Sequence, residues 1–207
     1  MDIVIVGAGN VGQSLADPWA RADHAVTFAL RNPAGRNAAA LKAQGFPVVA
    51  MKDAAAAGEV IVLAVPWGAV PDAVKALGAL TGKILVDATN PLTSDLSLAV
   101  GFADSGGETV ARLAPGARVV KAFNTTGANN MSDSRYAGHT HLMMPVAGDD
   151  AHAKATVMGL AGDLGFDPVD AGPLAMSRHL EPMAMLWIKL AIAQRMGRDF
   201  GFALLRR

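Results

Sequence analysis

Short runs of aliphatic and β-branched residues alternate with alanine-rich stretches of helical length, which predicts an α/β chain wound on both faces of a parallel sheet. Two further observations point the same way. The runs Ile3–Val6 and Val60–Val65 are continuously apolar rather than alternating, as strands buried on both faces must be. A glycine-rich turn, Gly7-Ala8-Gly9-Asn10-Val11-Gly12, follows the first run directly and opens the first helical stretch.

The elements follow in order. Strands are expected at Ile3–Val6, Ala25–Ala29, Pro47–Ala50, Val60–Val65, Lys83–Ala88 and Val119–Phe123, with helices at 10–22, 35–44, 68–80 and 106–113 between them. Pro18 falls inside the first helix, where its missing amide predicts a kink rather than a break. After Phe123 the rhythm changes. A polar loop over 124–130 leads to a strand at His141–Ala147 and a helix over 150–164 with Asp149 as its N-cap. A strand near Phe166–Asp170 follows, then a long helical tail from about Met176 to the C-terminus, with Gly197 as a point of interruption. Residues 1–123 read as a nucleotide-binding core, and 124–207 as a small α+β extension packed on it.

Composition narrows the function. A chain of 207 residues is long enough for one domain and a large core. Eighteen Lys and Arg balance eighteen Asp and Glu, which argues against a broadly basic nucleic-acid binder. There is no cysteine, so disulfides, cysteine-zinc sites and a thiol nucleophile are excluded. No uninterrupted apolar run reaches membrane-spanning length, and the N-terminus enters a strand without a basic leader. The expectation is a soluble, cytoplasmic chain acting on a small molecule, with no nucleic-acid or membrane partner. A homodimer through the C-terminal helix is the expected assembly.

The glycine motif gains its meaning from its strand–turn–helix context. Gly7 allows the tight turn, Gly9 lets a pyrophosphate approach the backbone, and Gly12 lets the helix lie close on the sheet. The helix N-terminus offers unpaired amides to phosphate. The end of the second strand selects the cofactor. Thr27-Phe28-Ala29-Leu30-Arg31-Asn32 carries no acid to hold ribose hydroxyls, while Arg31, with Arg36 nearby, suits the extra phosphate of NADP. The expected NADP-binding set is Gly7, Gly9, Asn10, Val11, Gly12, Arg31, Asn32, Arg36, Val65, Pro66, Trp67 and Asn90.

The reacting partner of the nicotinamide belongs at the carboxyl ends of the strands. Trp67, Pro91, Asn124, Thr125 and Thr126 are the expected acceptor-pocket residues. These loops hold an aromatic plane, amides and hydroxyls but no histidine, lysine or glutamate. Asp87 is expected to fix loop backbone. The only tyrosine, Tyr136, lacks a lysine four residues on, so the Tyr-x-x-x-Lys arrangement of alcohol dehydrogenases is absent. No catalytic acid or base is identified, and none is required if the acceptor is a flavin-like ring that delocalises the added charge. His139 and His141 could share one strand face, but without further ligands no metal site is expected. Leu180, Ala184, Trp187, Ile188 and Ala191 form a helical stripe, read as core or subunit interface.

The chain resembles the NADPH-dependent deazaflavin reductases, which exchange hydride between NADP and 8-hydroxy-5-deazaflavin. The resemblance rests on Val6-Gly7-Ala8-Gly9-Asn10-Val11-Gly12, Leu63-Ala64-Val65-Pro66-Trp67, Asp87-Ala88-Thr89-Asn90-Pro91-Leu92, Val120-Lys121-Ala122-Phe123-Asn124-Thr125, Val146-Ala147-Gly148-Asp149-Asp150 and Asp170-Ala171-Gly172-Pro173-Leu174. It implies a Rossmann doubly wound sheet with a small C-terminal portion closing a cleft, and contacts from Arg31 to the NADP phosphate. The chain departs from that pattern at Leu30, where the family carries a small hydroxyl residue, and at Asn124, where it carries histidine. Phe123-Asn124-Thr125 is closer to the cytosolic NADPH–flavin domains of membrane ferric reductases. The co-substrate is accordingly expected to be the deazaflavin coenzyme or FMN. Two alternatives stay open: a reductase of a small carbonyl or imine, and a non-catalytic NADP sensor.

Overall fold

The computed structural model describes residues 1–136 and 141–207; His139 and Thr140 lie outside them. Eight strands form one sheet: β1 (Asp2–Val6), β2 (Ala25–Leu30), β3 (Val48–Ala50), β4 (Val60–Leu63), β5 (Ile84–Asp87), β6 (Arg118–Lys121), β7 (Met143–Gly148) and β8 (Asp167–Gly172). Their order is β3-β2-β1-β4-β5-β6-β7-β8. Neighbours are parallel except β6 and β7, which meet antiparallel over two register pairs, Val120 with Gly148 and Lys121 with Ala147. Chain order reverses from β3-β2-β1 to β4 onward, so a crevice opens at the carboxyl ends of β1 and β4.

Both faces of the sheet are buried, and alternation along each strand divides the core. Ile3, Ile5, Val60, Val62 and Val86 face the layer of α1 (Asn10–Arg21) and α7 (Ala151–Asp163), where Leu15, Trp19, Val157 and Leu160 cover them. Val4, Val6, Ile61, Leu63 and Leu85 face α4 (Val70–Leu77) and α5 (Gly106–Leu113), packing on Val70, Val74, Leu77 and Val110. At about 25 cal/mol per Å² of apolar area removed from water, this two-sided burial is the main driving force for the sheet. The helices α2 (Arg36–Ala43) and α3 (Ala54–Ala57) complete the layers, with α6 (Ala128–Ser132) and α8 (Ser177–Ile188) in the C-terminal part.

Several boundaries differ from expectation. β4, β5 and β6 stop one or two residues early because the chain turns out of the ladder to build loops at the sheet edge. At β6 the turn places Phe123, only 1% exposed, at φ 60°, a left-handed conformation that bulky residues rarely adopt. Asp149 is not the N-cap of α7. Asp150 is, accepting the Ala153 amide at 2.7 Å, while Asp149 Oδ1 accepts the Leu174 amide at 2.9 Å. The polar stretch over 124–130, expected as loop, runs into α6 from Ala128. α1 runs through Pro18 to Arg21, because the buried Trp19 anchors its last turn with Nε1 donating to Leu160 O at 3.0 Å.

The expected C-terminal helix ends at Ile188, passes through one π turn at Lys189–Ala193, and stops. Arg195 and Gly197 take positive φ there and reverse the chain. The tail then folds back so that Phe200 stacks on Trp187 at 5.2 Å and its carbonyl accepts the Trp187 Nε1–H at 2.9 Å. Burying that aromatic pair outweighs continued helix propensity. Of the stripe on α8, Leu180, Ala184, Trp187 and Ala191 are buried as core. No helix among the described residues is long and apolar enough to cross a membrane.

Candidate active site

The turn from β1 into α1 is set by its glycines. Gly7 has φ +109°, and a Cβ there would lie 2.5 Å from Ala64 O on the neighbouring strand connection. A Cβ on Gly12 would lie 2.5 Å from Gly7 O and 2.9 Å from Ile5 Cγ2, so only glycine lets α1 approach this closely. Gly9 is the N-cap, with no side-chain cap and no acidic residue in the first turn. The positive end of α1 therefore faces outward unopposed by protein.

Two recesses flank this helix end. One, of about 390 Å³, is lined by Gly9, Asn10 and Val11 from the glycine turn, Ala64 to Trp67 after β4, and Ala88, Thr89, Asn90 and Leu92 after β5. None of these side chains is ionisable. The other, of about 350 Å³, lies between the ends of β1 and β2 and is lined by Ala8, Leu30, Arg31, Asn32, Gly35, Arg36 and Asn37. Arg31 and Arg36 are exposed, and neither is in an ion pair among the described residues. The predicted NADP set is thus split over one continuous edge. A larger cleft of about 540 Å³ between β8 and the tail, lined by His141, Phe166 and Leu204 among others, has no helix N-terminus pointing into it.

The predicted acceptor residues separate into two tiers. Trp67 is half-buried on the wall of the first recess, and a Cβ on Gly106 would meet its Cζ3 edge at 3.2 Å and Pro91 Cδ at 3.3 Å. Pro91, Asn124 and Thr125 are buried behind that wall rather than on it. Asn90 Nδ2 donates to Asn124 O at 2.9 Å, and Asn124 Nδ2 donates to Asn90 Oδ1 at 3.0 Å and Leu180 O at 3.2 Å. Thr126 Oγ1 accepts from Asn130 Nδ2 at 2.7 Å, tying the loop to α6. Asp87 fixes loop backbone as expected, its Oδ1 accepting from Thr89 N at 2.9 Å and Thr89 Oγ1 at 2.7 Å.

Sequence reasoning missed what lies beneath. Lys121 is wholly buried, and its Nζ donates to Asp87 Oδ2 at 2.9 Å, Thr89 O at 2.7 Å and Glu181 Oε1 at 2.8 Å. Burial alone would pull this ammonium down, but Asp87 and Glu181 outweigh it, and its pKa stands above the ordinary value. Glu181, from α8, also accepts the Gly106 and Gly107 amides at the N-terminus of α5, at 2.9 and 3.0 Å. One sequence signal was available: Asp87 and Lys121 end adjacent apolar runs and fall opposite each other in the β5–β6 register. The described histidines stand elsewhere. His141 is exposed with Nδ1 at 2.8 Å from Gly165 O, His24 pairs with Asp163 at 3.0 Å, and His152 and His179 are exposed.

The comparisons with known proteins agree with this geometry. Residues 2–91 match the family described as NADP oxidoreductase, coenzyme F420-dependent. The chain is 33% identical over 158 residues to the F420-dependent NADP reductase of Methanothermobacter marburgensis, covering 69% of this chain and 67% of that protein. It is 32% identical over 181 residues to the metalloreductase STEAP3 of Rattus norvegicus, covering 87% of this chain and 36% of the other, so it spans about a third of the length of that relative. A protein of Arthrobacter sp. FB24, solved as a candidate F420-dependent NADP-reductase, superposes with a TM-score of 0.89 at 34% identity, with all of both chains covered. With the glycine turn, the arginine recess and the full-length likeness in place, the chain belongs to the F420-dependent NADP oxidoreductase family.

Proposed function

We propose that this NADP-dependent oxidoreductase moves hydride between NADPH and a ring of the deazaflavin or flavin type. One observation carries the reading: the recess at the carboxyl ends of β1, β4 and β5 offers amide, hydroxyl and indole surface with no ionisable side chain among the described residues. A carbonyl or imine acceptor takes up a proton together with hydride and calls for a positioned acid. A tricyclic ring system spreads the added charge itself and needs mainly orientation and exclusion of water. The likeness to a reductase named for F420 supports the same reading.

The residues present fit NADP. The amides of Gly9, Asn10 and Val11 at the uncapped end of α1 would hold the pyrophosphate, and Arg31, with Asn32 and Arg36, would hold the ribose phosphate. Val65, Pro66 and Thr89–Asn90 would bound the nicotinamide, which when bound supplies or receives the hydride. Trp67 would present its ring to the acceptor.

The test is NADPH oxidation measured with 8-hydroxy-5-deazaflavin, with FMN, and with neither. Turnover with one of the two rings is expected. A protein that binds NADPH but reduces neither is a sensor, and one that reduces a cyclic imine faster than either ring is an imine reductase.

A further inference from the structure

Two neighbouring residues of α8 hold two neighbouring residues of the recess. Glu181 reaches Thr89 through Lys121, and Leu180, through its carbonyl, reaches Asn90 through Asn124. We propose that Glu181 is a positioning residue for hydride transfer, the point through which α8 sets the Thr89–Asn90 wall. This rests on the reading that the recess holds the nicotinamide.

The bonding leaves that wall little freedom. All three protons of the Lys121 ammonium are used, one each by Asp87, Thr89 and Glu181. Thr89 is held at three atoms: its amide and hydroxyl by Asp87 and its carbonyl by Lys121. Asn90 is held at both ends of its amide by Asn124. The left-handed turn at Phe123 aims Asn124 at Asn90. On the other side Glu181 is fixed by the two α5 amides. Two carboxylates and an ammonium taken out of water contribute less to stability than well-packed apolar residues of the same volume would. What such a cluster supplies that apolar packing does not is direction.

Glu181→Gln keeps the shape and removes one of the two carboxylate charges that Lys121 faces, leaving Asp87. Displacing reacting atoms by about 1 Å costs up to roughly 100-fold in rate. The rate constant for a single turnover of bound NADPH with the ring acceptor should therefore fall about 10- to 100-fold, with NADPH affinity held within about threefold by the remote arginine recess. The rate constant does not depend on how much protein is folded, whereas the amplitude does. Emission of the bound reduced nicotinamide should shift toward that of free NADPH. Asn124→Ala breaks the second strut without touching a charge, and should lower the same rate constant. If Glu181→Gln does not fold, Glu181→Asp, which keeps the charge and shortens the arm, carries the test with the same rate constant and emission. A reduced amplitude with an unchanged rate constant and unchanged emission in the Glu181 variant would overturn the proposal, whatever Asn124→Ala does. If the unaltered protein binds NADPH but reduces neither ring, the acceptor reading fails by itself. The emission of the bound nicotinamide then decides: a shift in the Glu181 variant supports positioning, and none overturns it.

Discussion

Arg31 leaves the end of β2 with no carboxylate to neutralise it, so a phosphate in its recess would gain a charge-assisted pair at little cost in broken contacts. Losing such a pair costs about 1.5–3 kcal/mol, or roughly ten- to a hundred-fold in affinity. Arg31→Ala should weaken NADPH by that factor and leave NADH nearly unchanged in a binding titration; equal losses for both would remove the phosphate role. Trp67 has two surfaces, one edge against Gly106 and Pro91 and one on the recess. Trp67→Ala should raise the KM for the ring acceptor more than the Kd for NADPH. Gly12 allows no such latitude. Gly12→Ala drives a methyl into Gly7 O and Ile5, an overpacking that costs about 1–3 kcal/mol. Its Tm should fall and its NADPH binding with it, since α1 and the phosphate turn move together.

The contact between α5 and α8 carries a titration of its own. Arg178 Nη2 lies 2.7 Å from Glu108 Oε1 and Nε 2.9 Å from Oε2, and this hydrogen-bonded guanidinium holds the Glu108 carboxyl below its ordinary value of 4.5. A carboxyl depressed by folding adds stability that is fully present above its unfolded pKa and is lost as pH falls through its folded one. The Tm gap between the protein and Arg178→Met should therefore be full above about pH 4.5 and close as the solution is acidified further. A gap that is constant from pH 7 to pH 3 would assign the loss to packing. Turnover, by contrast, should show no histidine-like limb near neutrality, because no histidine among the described residues lines the recess. This level was only partly legible in the sequence. The strands could be read because burial on both faces makes them continuously apolar, and the glycine turn because its backbone geometry permits few substitutes. Of the Lys121 cluster only the Asp87 pairing left a signal, at the ends of two neighbouring apolar runs; Glu181 left none, since it reaches Lys121 from α8, far along the chain. Asn124 and Thr125 belong to a loop beside the recess, but side-chain direction puts them behind its wall, which a residue list does not encode.

Across the whole molecule, the C-terminal tail acts as a strap. Asn130 Nδ2 donates to Phe200 O at 2.8 Å, Met143 N to Phe202 O at 2.8 Å, and Arg206 pairs with Asp167 at 2.8 Å, so residues 198–207 bind α6, β7 and β8 together. Phe200→Ala should cost about 0.5–1.5 kcal/mol for the lost aromatic pair in addition to its buried area, and should change the Trp187 emission. The end of α8 is hidden from sequence for the same reason: a helix stops where a distant aromatic offers more burial than the next turn. The antiparallel junction of β6 with β7 has a mechanical consequence. It is stitched by two register pairs, against five between β1 and β2, which makes it the natural tear line of the sheet. Cooperative opening tends to follow such lines. In amide hydrogen exchange, β7, α7 and β8 should lose protection together, at a lower free energy than β1, β4 and β5. Equal protection on both sides would mean that the cross-seam ties from Trp19 to Leu160 and from His24 to Asp163 hold as firmly as the missing backbone ladder would have done.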